Sequence, residues 1–315
     1  MKGVPVSTSE AHVMYSVAER VARITLVGPE QRCVFTDRME AELIDAIDDV
    51  DHDDEVAAVV LAGTGRTFCA GMELGRADDT FEAWRASPTA PPSTQYAVQG
   101  ESLPVRRDGG GRVALRLFDC TKPLIAAING DAIGVGITMT LPCDLRVMAE
   151  GARIAFPFTR RGFVPESCSS WFLPRLVPMQ IAIEWMLTGR TLRSGDALSA
   201  GLVHGVYPAD EVVDVATKMA SDIVANSSAV STSITRQMLW RMLTASHPME
   251  AHRIETMALN LRGVSADAHE GIRAFLERRR PVFTDTPSTV AHDYFGALPQ
   301  HVYASAEVLP PVRAH

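Results

Sequence analysis

The chain has 315 residues, 46% hydrophobic and 22% charged, with a formal net charge of −8, which allows one large domain or a core with a helical appendage. The acidic surplus speaks against nucleic acid as a general partner, and no apolar run approaches the ~18–20 residues that cross a bilayer. Five scattered cysteines (Cys33, Cys69, Cys120, Cys143, Cys168) with no CxxC pair argue against a disulfide framework or a zinc knuckle and read as buried free thiols.

In chain order, residues 1–10 lack the layout of a secretory signal, so a flexible N-terminus on a cytoplasmic protein is expected. β-rich runs at 13–18 and 21–27 surround Glu19-Arg20 and predict a hairpin. Thr36 and Asp37 open a helical pattern carried by Met39, Leu43, Ile44, Ile47 and Val50. The unbroken apolar run 56–62 predicts a strand buried on both faces of a parallel sheet. Residues 63–75 read as a turn-rich loop. Residues 76–112, with Ser-Pro, Pro-Pro and Gly-Gly-Gly, read as a variable loop excursion.

A second buried strand is predicted at 123–128 and broken by Asn129-Gly130. A helix start follows at 134–141, then strands at 145–149 and 153–156. Ser194 is a candidate N-cap and Gly201 a helix stop, with a last strand at 203–207. Helical patterns continue at 210–225, 231–243, 249–261 and 268–280. This order predicts an α/β core over 11–208, a helical C-terminal region over 209–283 and a surface tail over 284–315. His247 and His252 are five apart, and the chain has no HExxH, so no metal site is expected.

Three segments carry chemistry: GRTFCAGMEL at 65–74, AAINGDAIGVG at 126–136 and FPFTRRGFVPESCSSW at 156–171. The first two put small residues where a parallel strand ends, a place where free backbone N–H groups point into the crevice beside the sheet. Two such donors aimed at one point form an oxyanion hole. In the third, Glu166 is flanked by Val164, Pro165 and Trp171. An apolar wall would raise its pKa toward that of a general base, whereas a plain helix-start role would oppose that shift through the dipole. Residue chemistry leaves both roles open.

RTFCAGMELG and KPLIAAINGDAIGVG resemble the two oxyanion signatures of the crotonase (enoyl-CoA hydratase/isomerase) superfamily. LTGRTLRSGDALSAGLVHGVYP at 187–208 and GIRAFLERRRPVF at 271–283 are similar to its later segments, in the family's order. The resemblance implies a crotonase-like ββα-spiral core with a helical C-terminal oligomerisation region. The partner implied is an acyl-CoA thioester, with coenzyme A as part of the substrate and no separate cofactor. The backbone N–H groups of Met72 and Val135 would hold the thioester oxygen. Arg32, Cys33, Val34, Ala70, Gly71, Glu73, Leu74, Gly134, Phe158 and Pro165 would line the substrate groove, although Glu73 fits a structural role better. A homotrimer or hexamer is implied.

The hydratase pattern is broken at two points. Its first water-holding glutamate corresponds to Thr138 and its second to Phe158, neither of which can act as a carboxylate. PFTRRGFVPESCSS is instead similar to the Δ3,Δ2-enoyl-CoA isomerases, whose single catalytic glutamate falls at Glu166. Isomerisation through a thioester enolate is therefore the favoured activity. Hydration or hydrolysis with Glu166 activating water is the nearer alternative, and a non-catalytic acyl-CoA-binding scaffold the more distant one. Arg278–Arg280 reads either as a solvated helix end or as a contact for CoA phosphates. Arg160 and Arg161 read first as a surface pair and second as an anchor for a charged substrate group; Asp131 and Asp144 read as structural carboxylates, with a pocket-facing role also open to Asp131 beside the oxyanion loop. Gly63-Thr64-Gly65 lacks the third glycine of a dinucleotide fingerprint, and no GxSxG elbow is present.

Overall fold

The computed structural model describes residues 11–28, 33–73, 94–98, 101–105, 107–288 and 294. The expected flexible N-terminus and most of the 284–315 tail lie outside the described residues. β1 (Val13–Ala18) and β2 (Val21–Leu26) pair from Val13↔Leu26 to Ala18↔Val21. Glu19 and Arg20 join them at φ 49° and 64°, the left-handed pair whose twist suits a two-residue hairpin. α1 (Asp37–His52) starts where the Thr36 side chain accepts the Met39 N–H, and it buries Met39, Leu43, Ile47 and Val50.

β3 (Ala58–Gly63) is buried at every position. β4 (Thr67–Cys69) follows it. Next come β5 (Thr94–Val98) and β6 (Glu101–Val105), an antiparallel hairpin inside the expected loop excursion, and α2 (Gly109–Asp119). The second half of the core supplies β7 (Leu124–Ile128), β8 (Asp131–Ile133), α3 (Val135–Thr138), β9 (Leu145–Ala149), β10 (Arg153–Ala155), α4 (Ser169–Leu176), α5 (Met179–Thr188), β11 (Thr191–Arg193), α6 (Ser194–Ser199) and β12 (Gly205–Tyr207). Four longer helices close the described chain: α7 (Val212–Asn226), α8 (Ala229–Met242), α9 (Pro248–Gly263) and α10 (Ala266–Glu277).

One sheet runs β1-β2-β3-β7-β9-β12 and a second β11-β10-β8-β4. The pairings from β2 to β12 in the first sheet are all parallel. In β3–β4, β7–β8 and β9–β10 alike, the first strand joins the larger sheet and the second strand the smaller. That repeated hand-over makes the chain a spiral of ββα turns. β4, inside the expected turn-rich loop, and β8, between the predicted strand break and the predicted helix start, are strands of three residues, too short to show a period in sequence.

Two further expectations need correction. The glycine run inside the expected excursion opens α2, where Asp108 caps the helix through the Gly111 N–H. Glycine leaves room there for two side chains from across the fold: a Cβ on Gly110 would overlap Glu166 Oε2 and Ser167 Oγ. At α6 the cap is Arg193, not Ser194, with the Arg193 N–H on Asp196 Oδ2 at 2.8 Å.

The helical end is bound to the core. α7 lies across β3, β7 and β9. Arg236 of α8, its side chain 4% exposed, donates to Asp144 Oδ2 at 2.8 Å and to the carbonyls of Leu117 and Phe118 at 3.0 Å each. Asp144 also accepts the Trp240 indole N–H at 2.7 Å and the Leu124 N–H at 2.7 Å, so it is the structural carboxylate expected.

Candidate active site

The segment after β4 is held edge to edge against Phe35: the Phe35 N–H donates to Gly71 O at 2.8 Å, and the Glu73 N–H donates to Phe35 O at 3.0 Å. Peptide groups alternate in direction along an extended chain, so the Met72 N–H turns away from Phe35. Gly71 takes φ +103°, and a Cβ there would lie 2.9 Å from Ile133 O, which leaves glycine alone at that turn. The second donor lies at the start of α3. Ile137 and Thr138 N–H groups reach Gly134 O at 3.1 and 3.0 Å, whereas the Val135 N–H belongs to the first turn, where no intrahelical carbonyl is in reach.

Met72 and Val135 line one cavity of about 490 Å³ together with Ala70, Gly71, Gly134, Phe158, Pro165 and Glu166. Glu166 is placed by an unusual backbone. Ser167 and Cys168 both take left-handed φ, 55° and 54°, a conformation that costs a non-glycine residue about 1 kcal/mol or more. The turn ends as α4 begins at Ser169 and leaves the carboxylate facing α3. Oε1 accepts from the Thr138 hydroxyl at 2.7 Å, and Oε2 accepts from the Ser167 hydroxyl. The partners are thus hydroxyls, not the N–H groups of a helix start. Burial pushes the Glu166 pKa up to about 7; the Ser167 and Thr138 hydrogen bonds pull it down, and the Asp108 charge adds to the rise. A carboxyl group near 7 can both take and return a proton at neutral pH.

Some expected groove residues are elsewhere. Cys33 is fully buried in the core, with its Sγ toward Met39 Sδ and its carbonyl accepting the Ala70 N–H at 2.7 Å, so its side chain supports the wall from behind. Val34 is partly buried and Glu73 exposed, and neither is among the described residues lining the cavity. Arg32 and Leu74 lie outside the described residues. Asp131 pairs with Arg153 through Oδ2 and Nε at 3.0 Å. Arg279 is engaged by Glu270 at 2.9 Å and by Glu277 at 2.6 Å, the solvated-helix-end arrangement. Arg160 donates to Thr188 O at 2.6 Å, whereas Arg161 lines the cavity.

Sequence reasoning missed Asp108. It lines the same cavity and accepts the Ser167 N–H at 3.2 Å while capping α2. Its signal was an Asp immediately before a helix start, hidden by the three glycines that follow. Residue pattern alone points to no role for Thr138, yet its hydroxyl touches Glu166. Among the described residues no cluster of His, Cys, Asp or Glu could hold a metal ion, and no helix is long and apolar enough to cross a membrane.

This spiral of paired strands, with two loop ends and a carboxylate facing one cavity, is the crotonase fold. The chain matches the enoyl-CoA hydratase/isomerase family over residues 16–96 and 105–286 and belongs to that family. It is similar to an enoyl-CoA hydratase of Alternaria alternata, 37% identical over 274 residues that cover 85% of this chain and 84% of that one. It is also similar to the 1,2-epoxyphenylacetyl-CoA isomerase of Escherichia coli K12, 30% identical over 86% of this chain and 98% of that one. Among solved structures, a probable enoyl-CoA hydratase/isomerase from Mycobacterium abscessus superposes with TM-score 0.71 at 34% identity, covering 86% of this chain and 97% of that one. The protein is an enzyme of acyl-CoA metabolism.

Proposed function

We propose that the protein moves the double bond of a 3-enoyl-CoA to the 2-position, with Glu166 as its one acid–base group. The thioester oxygen lies between the Met72 and Val135 N–H groups, which stabilise negative charge there and acidify the α-carbon. Ionised Glu166 removes an α-proton: the C–H pair enters a dienolate and an O–H bond forms on the carboxyl group. The same proton returns to the γ-carbon, and Glu166 is ionised again. One carboxylate suffices because it is base and then acid.

The observation that carries this reading is the Glu166 carboxyl, raised to about 7, in a cavity shared with Met72 and Val135. Thr138 and Phe158, at the positions of the two hydratase glutamates, support it. A second reading has its own support, because Asp108 brings another carboxylate to the cavity and could hold water for hydration with Glu166. Product analysis with 2-enoyl-CoA and 3-enoyl-CoA separates the two. Double-bond migration without 3-hydroxyacyl-CoA is expected, and rapid water addition to the 2-enoyl thioester would overturn isomerisation in favour of hydration.

We further infer assembly as a trimer or a pair of trimers through the C-terminal helices. Leu239, Leu259, Ile272, Phe275 and Leu276 are large apolar side chains left 63–81% exposed there, more than a solitary helical layer ordinarily leaves to water.

A further inference from the structure

The Thr138 side chain is fully buried, and its hydroxyl stands between two acceptors, Glu166 Oε1 at 2.7 Å and Gly134 O at 3.2 Å. A hydroxyl has one proton and can serve only one of them at a time. Gly134 O belongs to the same peptide unit as the Val135 N–H, the proposed donor to the thioester oxygen. We infer that Thr138 is a positioning residue that links the two halves of the site: its hydroxyl donates to Glu166 while Glu166 is ionised, and turns to Gly134 O once Glu166 has taken the substrate proton. The inference rests on the isomerase reading.

The ranking of acceptors sets the direction. An ionised carboxylate is the stronger acceptor, and charge-assisted bonds are roughly twice as strong as neutral ones, so Thr138 holds the carboxylate in the resting site. Proton transfer from the α-carbon removes that charge. A carboxylic acid oxygen accepts more weakly than a peptide carbonyl, and the hydroxyl rotates to Gly134 O, which already takes the Ile137 and Thr138 N–H groups. Donation to the C=O of a peptide polarises the unit and strengthens its N–H as a donor. The Val135 N–H is therefore strongest when the thioester oxygen is most negative. Return of the proton to the γ-carbon restores the carboxylate and the first arrangement. A hydroxyl retained where hydratases carry a glutamate thereby gains a chemical role.

The other titratable groups around Glu166 are Asp108, Cys69 and Cys168, with Arg161 also on the cavity wall; all of them stay in place in the variants that test the coupling. The probes are a 3-enoyl-CoA, followed by α-hydrogen exchange in deuterated water across pH, and a 3-oxoacyl-CoA whose bound enolate is read by ultraviolet absorbance. Thr138→Val should lower plateau kcat roughly tenfold, the worth of about one hydrogen bond, with KM little changed. It should also shift the pH midpoint of activity upward and lower the enolate fraction several-fold, and Thr138→Ser should restore most of each loss. If the valine variant does not fold, Thr138→Cys keeps the shape with a poor donor and is read in its place. A shifted midpoint with unchanged plateau kcat and enolate fraction would leave Thr138 a static donor and overturn the coupling. Exchange by Glu166→Gln at the wild-type rate would instead remove the isomerase reading, and the inference with it.

Discussion

Replacing Glu166 with Gln should abolish turnover and, in the same protein, increase stability above neutral pH. The carboxyl rises from its ordinary 4.5 to about 7 on folding. A group raised in this way favours the folded state fully below its unfolded pKa, and that contribution is lost as pH climbs through the folded value. The window is therefore about pH 4.5 to 7. At ~1.36 kcal/mol per unit the shift bounds the cost of ionisation at about 3 kcal/mol. Because the side chain is only partly buried and faces an open cavity, solvent screening reduces this to about 1–2 kcal/mol. Glutamine keeps the shape, and both hydroxyls can donate or accept toward it. Urea denaturation of wild type and variant from pH 4 to 8 should give matching curves at pH 4 and a variant more stable by that amount at pH 8. Wild-type kcat/KM should rise through the same window, opposite to stability. A variant less stable than wild type at pH 8 would refute the burial argument.

Gly110→Ala brings a Cβ against the side-chain tips of Glu166 and Ser167, which must turn aside, inside a helix that alanine favours by about 0.5–1 kcal/mol. Activity should fall at least tenfold while circular dichroism and thermal stability hold, and a fully active variant would show that the carboxylate position is not critical. Arg236→Met strands Asp144 and a set of α2 carbonyls and should cost about 3–5 kcal/mol in chemical denaturation. Native mass measurement should give a trimer or hexamer, and Phe275→Glu, at a position 81% exposed in the single chain, should shift it toward monomer. A wild-type monomer would end the assembly inference.

The parts of the fold written in long apolar periods were legible in sequence. The run 56–62, the helix opened by Thr36 and the strand before Asn129 all emerge within a residue or two of their predicted limits, because burial on both faces or on one helix stripe leaves a clear pattern. β4 and β8 left none, since three residues cannot establish a period. α2 was obscured for a different reason: Gly109 and Gly110 serve contacts with distant residues, Glu40 and Glu166 among them, and tertiary packing overrode their local preference. At the site, Met72, Val135 and Glu166 line one cavity: the two glycine-rich segments legible in sequence turn the main chain at the first two, and Glu166 arrives on the left-handed turn of Ser167 and Cys168. Asp108 and the Thr138 hydroxyl came together only through folding across 28 to 59 residues of chain, a relation no local pattern records. Cys33 was misplaced because its backbone, not its thiol, faces the wall of the groove.

The consecutive left-handed residues behind Glu166 have a consequence for how this enzyme can be improved. Selection for heat tolerance alone would favour glycine at both positions, since glycine adopts that conformation freely. At 168 the exchange discards a thiol with no part in the proposed proton transfer, but at 167 it discards a hydroxyl bound to the carboxylate. Two adjacent sites with the same backbone geometry are thus predicted to diverge under laboratory evolution, one drifting to glycine and the other held as serine by turnover.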